Sequence, residues 1–263
     1  MTTERPGRRA ASRRGVRTRT RILDAAERLW GDRGVEAVSL REIRIAAGQR
    51  NSSALQFHFT DRDGLLLALA QRHLPRVTAL RQDLYAALVA AGREADLAGL
   101  VELLVRPTAE YLRHGPSERA WVKISAERFA RPETRLSDVA AHADAVGMDV
   151  GSRLLDRLTR DLDADVALER LLSVLIATQH LCADRARLED APPDSLDRPR
   201  LPFDRWLANL LDMAVGALAA PPAVGTTERS PLGRVGRQEL AGGPCPVVVV
   251  PPGDARSSPT GQT

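Results

Sequence analysis

From Thr18 onward the apolar residues fall into helical register. Ile22, Leu23, Ala26, Leu29 and Trp30 recur at steps of three and four, and Gly34 stands where a helix would stop, with Thr18 or Thr20 as its expected N-cap. Ser39 and Glu42 then form an S-x-x-E pair, the signature of a capping box, ahead of Leu40, Ile43 and Ala47 on one face and Gly48 as a second stop. A third short helix is expected over about Ser53–His58. Thr60 or Asp61 then caps a longer one carrying Leu65, Leu66, Leu69 and His73. Pro75 is expected to break or kink that helix, whose stripe resumes at Val77, Leu80, Leu84 and Leu88 and ends at Gly92.

Asp96 opens the next apolar face, Leu97 to Leu112, with a bend expected at Pro107 and a close at Gly115-Pro116. Two further helices are expected over 117–130 and about 134–160. Residues 164–187 are apolar on nearly all sides (Leu168, Leu171, Leu172, Val174, Leu175, Ile176, Leu181), as in a helix buried on two faces. A polar loop over 188–202 leads to a last helix with Phe203, Trp206, Leu207, Leu210, Leu211, Ala214 and Leu218. No stretch of the folded part alternates as a strand does, so an all-α fold is expected. Its expected parts are a disordered arm (1–17), a small N-terminal three-helix domain (18–63), a larger helical bundle (64–220) and a disordered Pro/Gly-rich tail (221–263). In that tail Val247–Val250 is the one apolar run, either an edge strand, a docking peptide or a solvated segment.

Charge adds a direction to this outline. The chain carries +4 overall, whereas residues 1–21 hold eight arginines against Glu4, a local charge of +7. A basic arm on a slightly acidic body points to a polyanionic partner. Lys123 is the only lysine, and arginine richness accounts for the kind of basic residue but not for its crowding at one end. The arm suits a narrow minor groove, a row of phosphates, or plain solvation. No apolar run approaches the roughly 18 residues that span a bilayer. The polar start has no apolar leader, so a cytoplasmic protein without a membrane partner is expected. Cys182 and Cys245 form no metal-ligand spacing, and Cys182 sits in an apolar stretch as a buried thiol would.

An enzyme finds little support. There is no G-x-S-x-G, P-loop, G-x-G-x-x-G or H-E-x-x-H. Asp161, Asp163 and Asp165 lie between two expected helices, where capping outweighs a metal site. No catalytic residue, metal or cofactor is therefore expected.

Three short helices with a glycine turn between the second and third make a helix-turn-helix pattern, whose last helix enters the major groove. Residues 18–70 resemble the tetracycline-repressor-like (TetR) family. Ile22-Leu23-Asp24-Ala25-Ala26 is similar to that family's first-helix core, Ile43 through Ala47-Gly48 to its second helix and turn, and Phe57-His58-Phe59 followed by Asp61-Arg62-Asp63 to its Tyr-x-Phe close. Gln49-Arg50-Asn51 marks a variant of the pattern, with one extra residue before Phe57, phenylalanine in place of tyrosine there, and Arg44 where alanine is common.

The resemblance implies a homodimeric, ligand-responsive regulator of transcription, a repressor released by a small-molecule effector, on a palindromic operator. By side-chain chemistry Arg50, Asn51, Ser53 and Gln56 are candidates for base edges, with Asn and Gln suited to adenine and Arg to guanine. Arg41 and Ser52 are candidates for phosphate. Arg62 stands where the family sets a lysine against phosphate, or else pairs with Asp61 or Asp63. His58 either touches phosphate or is exposed. Phe57, also in the DNA-binding set, is expected to pack the three helices together with Phe59. The resemblance places the dimer in the last two helices, 164–187 and 203–219. It places the effector among the middle helices, where Tyr111, His114, Trp121, Phe129, His142 and Met148 are the candidate lining. A non-allosteric architectural DNA binder is the competing reading, which the long apolar body disfavours.

Overall fold

The computed structural model describes residues 6–49, 57–129, 145–192 and 200–222. Among the described residues are eight α-helices and no strand. They are α1 (Pro6–Arg33), α2 (Leu40–Ala46), α3 (Arg62–Ala90), α4 (Leu97–Tyr111), α5 (Pro116–Phe129), α6 (Ala145–Leu158), α7 (Ala164–Asp190) and α8 (Phe203–Ala219), with a 3₁₀ turn at Leu112–His114. The tail from residue 223, including Cys245 and Val247–Val250, lies outside the described residues.

The stops and starts follow local chemistry. Gly34, Gly48, Gly92 and Gly115 have positive φ, the backbone state that glycine enters without a Cβ penalty. Asp61 caps α3 by accepting from Gly64 N at 2.8 Å, and Asp96 caps α4 by accepting from Gly99 N.

Two expectations are corrected. The segment expected to be disordered through residue 17 is helical from Pro6. Proline suits the first helical position, and the Arg and Ala that follow are strong helix formers. Thr20 accordingly does not cap. Its hydroxyl donates to Val16 O at 3.0 Å inside the helix. The second is at Pro75, where of the expected break or kink the break does not occur. The helix runs on to Ala90, with Pro75 on its exposed side. Pro107 likewise sits inside α4.

The core centres on α4 and α5. α4 packs against α3, α6, α7 and α8, while α5 lies along α7 on one side and α1 on the other. By length and composition α7 is the one helix among the described residues able to cross a bilayer. Ser173, Gln179 and His180 interrupt its apolar run, and it packs against α4, α5, α6 and α8 while leaving Ile176 and Leu181 exposed. Cys182 within it is buried, and burial pushes its thiol up to about 12.

Along the α1–α5 seam the helices nearly touch. A Cβ added at Gly31 would lie 2.6 Å from Ala120 Cβ. One turn on, Val35 N donates to Glu127 Oε2 at 2.8 Å.

Candidate nucleic-acid interface

The local order of the N-terminal unit is set by its second helix. Ser39 N donates to Glu42 Oε2 at 2.9 Å and Glu42 N to Ser39 Oγ at 3.2 Å, so the capping box is complete. Arg33 reaches across from α1 to Glu42 Oε1 at 2.9 Å. The backbone and hydroxyl of Ser39, then Arg33, hold the Glu42 carboxyl down at about 2. Ile43 and Ala47 face inward with Val35 and Val38, which leaves Arg41 and Ile45 exposed on the other side of α2.

The turn after α2 is bound back on itself. Arg44 donates to Gln49 O at 2.8 Å and Gln49 Nε2 to Ala47 O at 3.1 Å. Arg50, Asn51, Ser52, Ser53 and Gln56 follow and lie outside the described residues. Phe57 and His58, the end of the expected recognition helix, are helical.

Phe57 and Phe59 part company. Phe59 is buried, with the Arg19 guanidinium 5.3 Å from its ring centre. Phe57 is 83% exposed and does not join the packing expected of it. Only one of two aromatic residues two apart on a helical turn can face the core. His58 is partly buried between them, and burial, then the charge of Arg19, lowers its pKa.

Arg62 pairs with neither Asp61 nor Asp63. It donates to Val35 O at 2.7 Å, Glu36 Oε2 at 2.8 Å and Val38 O at 3.3 Å. It thus fastens α3 to the loop between α1 and α2, satisfying two carbonyls that no helix serves.

The body's candidate residues divide similarly. Tyr111 and Trp121 are buried and share His73: the Tyr111 hydroxyl is 2.8 Å from His73 Nδ1, and the Trp121 ring stacks on the imidazole at 5.3 Å. Burial, with the charge of Glu118 next, pushes the Tyr111 hydroxyl up to about 12. His114 is exposed, its ring 6.0 Å from that of Tyr111 and its Nδ1 3.2 Å from Arg76. Phe129 is partly exposed at the far end of α5, away from this group in sequence. His142 lies outside the described residues, and the side chain of Met148 is likewise not described.

Sequence reasoning missed Glu27. It is 5% exposed on α1, 2.9 Å from His73 Nε2 on α3, and it accepts from Ser117 Oγ on α5 and from Arg72 at 3.1 Å. Burial pushes its carboxyl up, but the hydrogen bonds of His73 and Ser117 and the charges of His73 and Arg72 outweigh that, and its pKa is lowered. The His73 ring thus bridges the Glu27 carboxyl at Nε2 and the Tyr111 hydroxyl at Nδ1. The signal was present. Glu27 and His73 are polar residues standing on apolar stripes, and such positions in two helices are satisfied most economically by each other.

Residues 22–69 match the model of bacterial regulatory proteins, tetR family. The HTH-type transcriptional repressor Rv1474c of Mycobacterium tuberculosis is 34% identical over 167 residues, 59% of this chain and 82% of the relative. Among solved structures, Salmonella enterica GusR is 19% identical with a TM-score of 0.38, covering 76% of this chain and 95% of its own. A gamma-butyrolactone receptor (ArpA-like protein) is 25% identical with a TM-score of 0.40, covering 76% and 99%. The assignment rests on the two sequence matches together with the capped, glycine-turned unit built above. The chain belongs to the tetR family of bacterial regulatory proteins and is a DNA-binding regulator of transcription.

Proposed function

We propose that the chain is a cytoplasmic homodimeric repressor that binds a palindromic operator and is released by a small-molecule effector held in its body. The division of labour is residues 18–63 for DNA and 64–220 for effector and dimer. The observation that carries the reading is the way α2 and its turn are built. One face is buried, while the outer face, with Arg41 and Ile45, is exposed ahead of a tightly bonded turn. Arg50, Asn51, Ser53 and Gln56 read bases, Arg41 and Ser52 meet phosphate, and Phe57 and His58 lie at the edge of the contact. The exposed Phe57 ring suits a thymine methyl or a sugar. Arg62 acts through the loop it fastens.

One such unit covers few bases, and two half-sites require two copies. α7 and α8 pack on each other and leave Ile176, Leu181 and Met213 exposed, an apolar surface suited to a second copy. Tyr111 and Trp121, tied through His73 to Glu27 on α1, are the effector-side residues closest in bonding to the DNA-binding unit. An effector must bind the two states of that linkage unequally to shift operator affinity.

Selection of bound duplexes from a random pool tests the reading. A palindromic consensus recovered by a particle of twice 28.6 kDa is the expected result. Indifferent coating of every duplex would replace it with an architectural role.

A further inference from the structure

The helix that carries Glu27 into the core continues for sixteen residues in the other direction as a row of arginines, from Pro6 to Arg21. Positions 9, 13, 17 and 21 are all arginine, spaced four apart in the sequence, which is the spacing of neighbours along a helix. Arg17 and Arg21, whose side chains are described, are exposed.

Two electrostatic terms work against this helix on its own. Like charges at i, i+4 repel by a few tenths of a kcal/mol per pair. Cations in the N-terminal turns also oppose the macrodipole, which favours anions there, and the first turn holds no acid. A phosphate row would reverse both terms.

The placement fits such a row. A Cβ at Gly15 would lie 3.9 Å from His58 Cε1, and Arg19 sits over Phe59. The extension therefore leaves the body of the protein beside the last residues of the helix-turn-helix. From Gly15 back to Pro6 the helix advances at about 1.5 Å per residue, roughly 14 Å, or about four base pairs at ~3.4 Å each.

We propose that the N-terminal limb of α1, residues 6–21, is a second DNA-contacting surface. It binds as a helix to the phosphates that flank the site read by the helix-turn-helix. A helix is about 10 Å across with its side chains, whereas the minor groove is about 6 Å wide. The limb therefore tracks phosphate ridges, and the minor-groove insertion open to an extended arm is excluded. Its contribution is to affinity and salt dependence, with no sequence preference of its own. The proposal rests on the reading that residues 39–59 face DNA.

The test compares the full chain with the variant carrying Arg9→Ala, Arg13→Ala, Arg17→Ala and Arg21→Ala. Alanine preserves helix propensity, and circular dichroism verifies the helix content. Affinity is measured against KCl concentration on the selected duplex with ten flanking base pairs and with the flanks trimmed. With one to two phosphates lost per protomer, the log–log salt slope should flatten by about 2 to 4, at about 0.9 per phosphate. Affinity at low salt should fall at least roughly ten-fold by the same term. The loss should appear on the flanked duplex and shrink on the trimmed one, while the selected consensus stays the same. An unchanged slope with unchanged flank dependence overturns the proposal. A changed consensus overturns it too, since it would make the limb a base reader. If the full chain prefers no duplex, the reading of residues 39–59 fails instead, and the slopes of the two chains on a common duplex still decide the limb.

Discussion

The two halves of α1 resolve their charges in opposite ways. Between Pro6 and Arg21 the helix carries seven arginines and, where side chains are described, exposes them. Between Ile22 and Arg33 it buries Ile22, Leu23, Ala26 and Trp30 and turns Glu27 toward His73 of α3 and Ser117 of α5. In the first half Arg17, Arg19 and Arg21 are exposed to solvent. The second has its charge inside, and there an ion out of water is tolerable only while every partner is in place. One helix thus divides in two: its distal half is the DNA-contacting limb proposed above, and its proximal half fixes the unit on the body.

The sharpest way to break this contrast is Glu27→Ala. It leaves the buried His73 without its acceptor, frees Ser117, and leaves Arg72 with Asp24, 2.8 Å away and mostly exposed. Removing one member of a buried ionic group costs about 3–5 kcal/mol, and urea unfolding should register a loss of that order. Arg21→Ala on the exposed half should stay within about 0.5 kcal/mol. Equal losses for the two would show that the halves do not differ. Replacing Glu27 and His73 together by Met and Phe should recover most of the stability, because the desolvation term disappears along with the charge.

Gly31→Ala is the next largest. Its new methyl would meet Ala120 Cβ at 2.6 Å and Ala120 Cα at 3.0 Å, both on a helix and neither free to swing away. Overpacking of that kind costs about 1–3 kcal/mol. Ala120→Gly in the same chain removes the Cβ clash and should cost less on the Gly31→Ala background than alone, and a double-mutant cycle reads that coupling. Additive losses would mean that the seam gives way elsewhere. Ser39→Ala follows, at about 1 kcal/mol for a lost N-cap, again by urea unfolding. This change leaves the α1–α5 seam untouched and so isolates the order of α2.

Much of this was legible beforehand, and the reason differs by element. The capping box at Ser39 and Glu42, the Asp61 and Asp96 caps and the glycine stops are written in adjacent residues, because their chemistry is local. The ends of α7 and α8 were legible within a few residues for the same reason. The arm failed because absence of apolar periodicity was taken for absence of structure, although Arg and Ala propagate a helix that has already been nucleated by the packed half of α1. Phe57 failed because two aromatic residues in one motif were assigned one role. Glu27 failed because its partners lie on α3 and α5, distant in sequence, and an apolar stripe conceals a polar member until the opposing stripe is known. Arg62 shows the same limit: its carbonyl acceptors exist only after α1 and α2 are placed.

Acid provides the smallest and most selective probe. Glu42 on α2 and Glu27 on α1 both have carboxyls held below the ordinary glutamate value of 4.5, Glu42 at about 2. A carboxyl with a lowered folded pKa stabilises the fold above its unfolded value and loses that contribution as pH falls through the folded one. The Glu42 contribution is therefore complete above pH 4.5 and disappears toward pH 2. The exposed position of its bonds keeps it small. Stability measured from pH 5 to pH 2 should fall for the native chain. In Glu42→Gln, which keeps the shape but cannot ionise, the fall should be shallower, with the remaining slope coming from Glu27 and other carboxyls. His58 acts higher on the scale. Its lowered pKa means the unfolded chain binds its proton first, so stability declines as pH drops below 6.5. A Glu42→Gln profile parallel to the native one would mean that the capping box holds α2 by shape alone. The exposed unit would then differ from the buried Glu27 cluster in kind as well as in degree.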